Sequence, residues 1–484
     1  MRATARWTPA LFAVGLLAVG CGTSEGDHAT ATTPEGLAAA VHADALVAHI
    51  DALDRIATDN GGNRSAGTAG YDRSVDYVAG KLKDRGFDVA TPEFDIDSFE
   101  VKNEKLRAGD RDYEISTIGY SPATPSGGLT GRTVLVPRNE GPGCEASDYD
   151  GLDLNGAIAM VYRGTCTFAV KQQLAAEHGA VALLVVATDK PVHGTLGDKA
   201  AAKIPTVAIK EADADALAQA GGEATLLVDT VTTTMKSRNI IAQTKTGSAD
   251  NVVMAGAHLD SVPEGPGIND NGTGSAAILE TALQLGPDPD VANAVRFAWW
   301  GGEELGLVGS TAYVDGLSDA QRLDIALYVN FDMLGSPNPG YLVYDGDDSD
   351  KTGEPAGPKG SAGIERTFEA YLLNNGITPN GTDFDGRSDY GPFIEHGIPA
   401  GGVFSGAEEQ KSQDQAKQWG GAGDTSFDPN YHAPGDNAAN VNRDVFARNA
   451  AAAAYAIGAY AESIQGPNGV PARADREAAR GDEK

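Results

Sequence analysis

The stretch that decides the fold is Val252 to Gly274, VVMAGAHLDSVPEGPGINDNGTG. It opens as a continuous apolar run, VVMAGA, of the kind a strand buried on both faces shows. His258 and Asp260 stand where that run ends. Pro263, Gly265, Pro266 and Gly267 then break the chain, Asp270 follows, and a helical pattern, SAAILETALQL, begins at Ser275. A buried strand, a Gly-rich polar loop and a helix form the arrangement in which open α/β sheets build their sites.

Two further apolar runs end in the same way. AVRFAWW passes through Gly301 and Gly302 into Glu303 and Glu304, and IALYVNF ends at Asp332. From Arg238 onward such runs alternate with helical patterns near Ser310–Asp315, Gly363–Asn374 and Arg443–Ile464. This predicts an α/β fold, a three-layer αβα arrangement around a mostly parallel mixed sheet. In a parallel sheet the three strand ends lie on one edge, so His258, Asp270, Glu303, Glu304 and Asp332 converge. Carboxylates gathered there would repel and take up protons unless something positive sat among them. A metal answers that problem. One His and four carboxylates carry too much negative charge for one four-coordinate ion, whereas two ions roughly 3.5–4 Å apart, sharing a carboxylate, use the whole set. Of the eight histidines, His432 in the Pro/Gly-framed loop DPNYHAPGDN, beside Tyr431, is the best second imidazole.

The motifs AHLDS, GINDNGTGSAA, RFAWWGGEELGLVGS, NFDMLGSPNPGY, GRSDYGPF and the YH pair, in that order between Arg238 and about Ile464, resemble the secreted bacterial di-zinc aminopeptidases of the leucine type. The resemblance implies a zinc-exopeptidase-like fold and a metallo-aminopeptidase that favours large apolar N-terminal residues. It implies two Zn²⁺ per chain, with His258, Asp332, Glu304 and His432 as terminal ligands and Asp270 as the bridge. The same resemblance makes Glu303 the general base acting on a metal-bridging hydroxide and Tyr431 the oxyanion donor. Arg387, with Glu303 and Asp332, would hold the substrate's N-terminus. Asp260 is a candidate to orient the His258 imidazole from behind, or else a loop cap. The donor set suits Zn²⁺ and also Mn²⁺ or Co²⁺; the resemblance does not place the family's Ca²⁺ site residue by residue. Relatives often carry cysteines flanking the YH pair, where this chain has Asn430 and Gly435, so the loop lacks that staple.

Other readings are weaker. The GxGxxA pattern from Gly272 to Ala277 follows a long polar loop, where a dinucleotide fingerprint needs a strand leading directly in. No GxSxG elbow supports a serine nucleophile. The alternatives are a carboxypeptidase or amidohydrolase, a glutaminyl-cyclase-like enzyme on the same scaffold, and a binding protein without catalysis.

At 484 residues the chain exceeds one ordinary core. Residues 37–115 and 235–465 are assigned to the peptidase domain, and residues 116–234 to an insert. In the insert, RGTCTF, Lys171 and the EHGA turn resemble the protease-associated domain of secreted peptidases. Its position suggests covering the cleft or binding substrate. At the N-terminus, Arg2 and Arg6 precede an apolar run too short to span a membrane, and AVGC ends at Cys21. Residues 1–21 resemble a lipoprotein signal peptide with Cys21 as the lipidated residue, and residues 22–36 read as a tether. The expected location is extracellular or at the cell surface, with the membrane reached only through a lipid anchor. Outside the cytoplasm, Cys144 and Cys166 are expected to form a disulfide. A net charge of −31 argues against nucleic acid. The expected partners are peptide or protein N-termini, met by a monomer. Residues 466–484, charged and poor in apolar side chains, read as a disordered tail.

Overall fold

The computed structural model describes residues 33–188, 194–197, 199–220, 222–351 and 356–481. The signal peptide with Cys21, most of the tether, and His28 and His193 therefore lie outside the described residues.

The larger sheet runs in the order Val89–Ala90, Ile240–Gln243, Asn293–Trp300, Ser248–His258, Ile325–Phe331, Ala400–Phe404, Leu342–Tyr344, Asn380–Thr382. Its four central strands are mutually parallel, and antiparallel partners flank them on both sides. The continuous apolar run at Val252 has a simple cause. Val253, Ala255 and Ala257 join one core and Val252 and Met254 join another on the opposite face. Leu46, Val78, Ile278, Phe368 and Ile457 from five helices cover the first face. Val314 and Phe393 from two shorter helices cover the second. The fold is the expected three-layer α/β arrangement. Gly256 cannot be replaced within its strand, because a Cβ there would stand 2.3 Å from the Tyr328 hydroxyl and 2.7 Å from Trp300 Nε1.

Register delivers the site. His258 pairs with Trp300, and Gly256 pairs with Asn330, so His258, the loop after Trp300 and Asp332 emerge at one level. Three boundaries differ from the expectation. The helical spacing of apolar residues from Leu37 to Ala57, which reads as one stretch, is two helices, Pro34–Ala40 and Ala43–Asp59. The strand Glu93–Ala108, assigned above to the peptidase sheet, pairs along almost its whole length with Glu223–Arg238 and belongs to the second sheet. The tail is ordered through Gly481. Arg476, fully buried, donates to the carbonyls of Asp250, Leu323 and Pro471, and Arg480 donates to those of Arg322 and Ile325. Most of these donors meet backbone acceptors, which apolar content alone does not reveal.

The second sheet contains a βαβ unit, Ile158–Tyr162, Phe168–Glu177 and Ala182–Ala187, with the strands parallel, as the run GAIAMVYRGTCTFAVKQQLAAEHGAVALLVVA implies. Cys144 and Cys166 are joined by a disulfide with Cα atoms 5.7 Å apart. Among the described residues no single helix is long and apolar enough to cross a membrane.

Candidate active site

Five side chains meet at the carboxyl edge of the larger sheet in two groups that share one residue. His258 Nε2 stands 3.2 Å from Asp270 Oδ1 and 3.3 Å from Asp332 Oδ1. His432 Nε2 stands 3.2 Å from Asp270 Oδ2 and 3.0 Å from Glu304 Oε2. Asp270 thus offers one oxygen to each imidazole. Glu303 Oε2 is farther from His258, at 3.9 Å, and borders the cavity.

Each residue is delivered by a local cause. Gly302, at φ 72°, turns the chain after Trp300 so that adjacent Glu303 and Glu304 face different neighbours. The Glu303 amide donates to Asp260 Oδ1 at 3.2 Å. His258 Nδ1 lies 3.1 Å from the main-chain oxygen of Asp260, and the Asp260 carboxylate is 3.8 Å away. The orienting partner of the imidazole is therefore the Asp260 carbonyl, while its carboxylate caps Glu303. Ser388 Oγ donates to Asp332 Oδ2 at 2.6 Å, leaving Oδ1 for the site.

The electrostatics are those of a cation-binding cluster. Burial alone would lower the His258 imidazole, but the carboxylates of Asp332 and Glu303 outweigh it and hold the group well above its ordinary value. Burial would likewise lower His432, and Asp270 and Glu304 push it up to about 10. Burial pushes Glu304 up to about 7, and Asp270 adds to the effect. Protonated imidazoles here fill the role of positive charge that the carboxylates demand. His258 Nε2, Asp332 Oδ1 and Glu304 Oε1 are buried without a hydrogen-bond partner within the protein, as donor atoms turned toward a cation would be. Mixed imidazole and carboxylate donors around a shared carboxylate fit two divalent ions of the zinc type.

Tyr431 stacks on His432 at 3.8 Å between ring centroids. Burial and Asp270 raise its phenol well above the ordinary value, so it remains a donor. Arg387 lines the cavity, yet its guanidinium is directed at Glu408 Oε1 at 2.8 Å and at the Tyr431 hydroxyl at 3.3 Å. It is not directed at Glu303 or Asp332, and a cation is a poor partner for a substrate ammonium. Its position therefore points to orienting Tyr431.

The cysteine staple absent from the Tyr431–His432 loop is replaced by polar contacts. Asn430 Nδ2 donates to Asn440 Oδ1 at 2.7 Å, and Asn440 Nδ2 donates to both oxygens of Asp428 at 3.0 and 2.9 Å. A Cβ on Gly435 would lie 2.2 Å from Asn430 Oδ1, so the two positions are packed together without a covalent link. Sequence reasoning passed over Arg64, Asp389, Asp428 and Asp436. Arg64, Asp428 and Asp436 stand as charges within Gly-, Asn- or Pro-rich loops, which is the one local signal available. Asp389 is fully buried beside the site, and burial pushes it up to about 7 against the opposing effects of His258 and Ser310.

The cavity over this cluster measures about 370 Å³. Leu307, Met333, Tyr344 and Phe404 supply apolar wall, and Asp383, Asp385 and Glu409 supply acidic lining. Among the described residues, none between 93 and 238 lines it, so the inserted domain does not form its wall.

Comparison with known proteins agrees with the geometry. The chain is 52% identical over 441 residues to a probable lipoprotein aminopeptidase, LpqL, of Mycobacterium tuberculosis, covering 90% of this chain and 88% of the relative. The profile of peptidase family M28 matches residues 239–457. The chain belongs to peptidase family M28. A PA domain profile matches residues 129–217, inside the second sheet. An aminopeptidase of Pseudomonas aeruginosa is 40% identical over 442 residues, covering 88% of this chain and 82% of that one. Among solved structures, the aminopeptidase from Aneurinibacillus sp. strain AM-1 superposes with a TM-score of 0.67 at 27% identity, covering 89% of this chain and 96% of its own. The zinc aminopeptidase BSAP from Bacillus subtilis gives a TM-score of 0.54 at 26% identity, covering 88% and 97%. The M28 profile begins at 239, one residue after the strand Glu223–Arg238 that closes the inserted sheet.

Proposed function

We propose that this M28 peptidase is a two-zinc aminopeptidase that removes N-terminal residues, large apolar ones above others, from peptides and proteins. The observation that carries this reading is the division of Asp270, one oxygen toward each imidazole. His258 and Asp332 would hold one ion, Glu304 and His432 the other, and Asp270 would bridge them. Bound there, the ions supply Lewis acidity and bring a water's pKa from ~15.7 to about 7.

The chain's own residues supply the rest. Glu303 takes the proton of the attacking water and hands it to the leaving amine, a role suited to its greater distance from His258 Nε2, 3.9 Å against 3.2 Å for Asp270 and 3.3 Å for Asp332. Glu303 and Asp332 line the cavity and offer carboxylates to the substrate's α-ammonium. Tyr431, held by Arg387, donates to the developing oxyanion. Tyr431→Phe is expected to lower kcat by about 10²–10³ with KM little changed, as for the loss of one oxyanion donor. Steady-state kinetics on a leucine amide checks it.

The deciding experiment compares free and N-acetylated leucyl peptides alongside metal counting on the purified protein. Cleavage of the free peptide alone, with two zinc ions per chain, is the expected result. Cleavage of the N-blocked peptide would instead favour the carboxypeptidase or amidohydrolase reading. The lining also makes a side-chain prediction. Leu307, Met333, Tyr344 and Phe404 suit Leu or Met, whereas Asp383, Asp385 and Glu409 oppose an acidic side chain. N-terminal Glu or Asp is therefore expected to reduce kcat/KM at least ~10-fold relative to Leu, an effect that weakens as salt is raised. Equal rates for Glu and Leu would remove this assignment of the pocket. The similarity to LpqL supports a lipid-anchored, exported protein, and mass spectrometry of the mature N-terminus at Cys21 tests that.

A further inference from the structure

We propose that Arg64 and Asp436 form a two-sided clamp on the loop 259–270, positioning the Asp270 carboxylate and coupling the His258 half of the site to the His432 half. The inference rests on the two-ion reading above.

Between the strand end at His258 and the short helical turn that begins at Ile268 the loop has no strand or helix to aim it. It runs through Pro263, Gly265, Pro266 and Gly267, and its backbone groups need partners from elsewhere. Arg64, fully buried, meets the carbonyl side. Its guanidinium donates to the carbonyls of Leu259 and Gly267 and, at 2.9 Å, to that of Pro266. The Arg64 amide donates to Ser261 Oγ at 2.9 Å, and the Ser261 amide returns a bond to the Arg64 carbonyl at 3.3 Å. Asp436, also buried, meets the amide side. The amides of Ile268, Asn269 and Asp270 donate to its main-chain oxygen at 3.0 Å, its Oδ1 at 2.8 Å and its Oδ2 at 3.0 Å. The residues just before and at Asp270 are thus gripped from both sides.

Asp436 lies four residues beyond His432, so the same carboxylate that holds the Asp270 backbone belongs to the loop that carries the second imidazole. The two loops also meet backbone to backbone, since a Cβ on Gly265 would lie 2.3 Å from the Ala433 carbonyl oxygen. The Asn269 side chain adds a tie, donating to Asp428 Oδ2 at 2.7 Å. Arg64 is suited to its part because a planar fork can serve several carbonyls at once, which a lysine ammonium cannot do in the same geometry. His432 is 40% exposed at its side chain whereas His258 is 1% exposed, so the His432 trio is the half that depends on the clamp.

Stepwise zinc titration of metal-free full-length protein tests this in the wild type, Asp436→Asn and Arg64→Lys. The expected result is a ~10–100-fold weaker second ion in both variants, the range seen when a group orienting metal ligands is lost. The first ion's affinity should change by less than about threefold, and kcat should fall more than KM rises. A general loss of structure would weaken both ions together. That outcome, or unchanged affinities in variants that still take two ions, overturns the clamp alone. A wild-type count of one ion overturns the two-ion reading and the coupling with it. Hydrogen exchange of the wild type provides a readout independent of the variants' folding. Chelation of the ions should loosen peptides covering 259–270 and 428–440 in one step, and separate loosening of the two segments overturns the coupling.

Discussion

Glu303→Gln is expected to lower kcat by about 10²–10⁴ while the protein keeps its metal content. The substitution preserves shape and removes only the ability to accept and return a proton. Glu303 is suited to that exchange by its surroundings. Its amide is fixed by Asp260 Oδ1, so the side chain is aimed before substrate arrives. Burial raises its carboxyl well above the ordinary value against the opposing effect of His258, and Asp389, Asp332 and Glu304 add to the rise. A carboxylate so placed can hold a proton for the leaving amine, where an exposed glutamate would release it to water. Steady-state kinetics with metal analysis on the same sample checks the result. If activity persists with both ions bound, the base lies elsewhere and Asp389 becomes the next carboxylate to test.

Removing the ions is expected to abolish activity and to make stability depend on pH in a defined direction. In the metal-free site Glu304 sits at about 7 instead of the usual carboxylate range, and His432 sits at about 10 instead of 6.5. Both folded-state values are raised, so between the unfolded and folded values the native state binds more protons than the unfolded state. The sign follows: stability is fully present below the unfolded values and falls as pH rises, through about 4.5–7 for Glu304 and about 6.5–10 for His432. Bound ions replace those protons as the source of positive charge. The holoprotein is therefore expected to melt at a higher temperature than the metal-free form, with the gap widening from pH 5 to pH 9. Melting curves at several pH values, with and without chelator, provide the check. A gap that narrows with rising pH would mean that the cluster does not depend on positive charge in this way.

Much of the site was legible because its side chains sit next to strong local signals. His258, Glu303, Glu304 and Asp332 each follow an apolar run of the kind a strand buried on both faces shows, and the parallel arrangement brings such ends together. Asp270 and His432 stand in loops, where no periodicity operates, and their assignment leaned on the family resemblance. The structure changed the part given to Arg387, whose guanidinium is committed to Glu408 and Tyr431. It also divided Asp260 into two functions, a carbonyl behind His258 and a carboxylate under Glu303. Neither could be read from the spacing HLD, because main-chain direction within a loop depends on distant partners.

The limits of each domain show the same division. The strand Glu93–Ala108 alternates like any half-exposed strand, and only its pairing with Glu223–Arg238 places it in the inserted sheet. Residues after Gly466 are poor in apolar side chains, yet Val470 reaches the core, and Arg476 and Arg480 dock the segment through carbonyls that exist only once the chain has folded.

By itself the sequence determined the α/β class, the three strand ends and the demand for positive charge among their carboxylates, because burial patterns and charge are local properties of the chain. Tertiary structure alone decided how Asp270 is shared between two imidazoles, and which residues hold it there. Arg64 is about 200 positions from the loop it grips, and Asp436 about 170. Hydrogen bonds over such separations are set by where the fold brings backbone donors and acceptors, which no local pattern records.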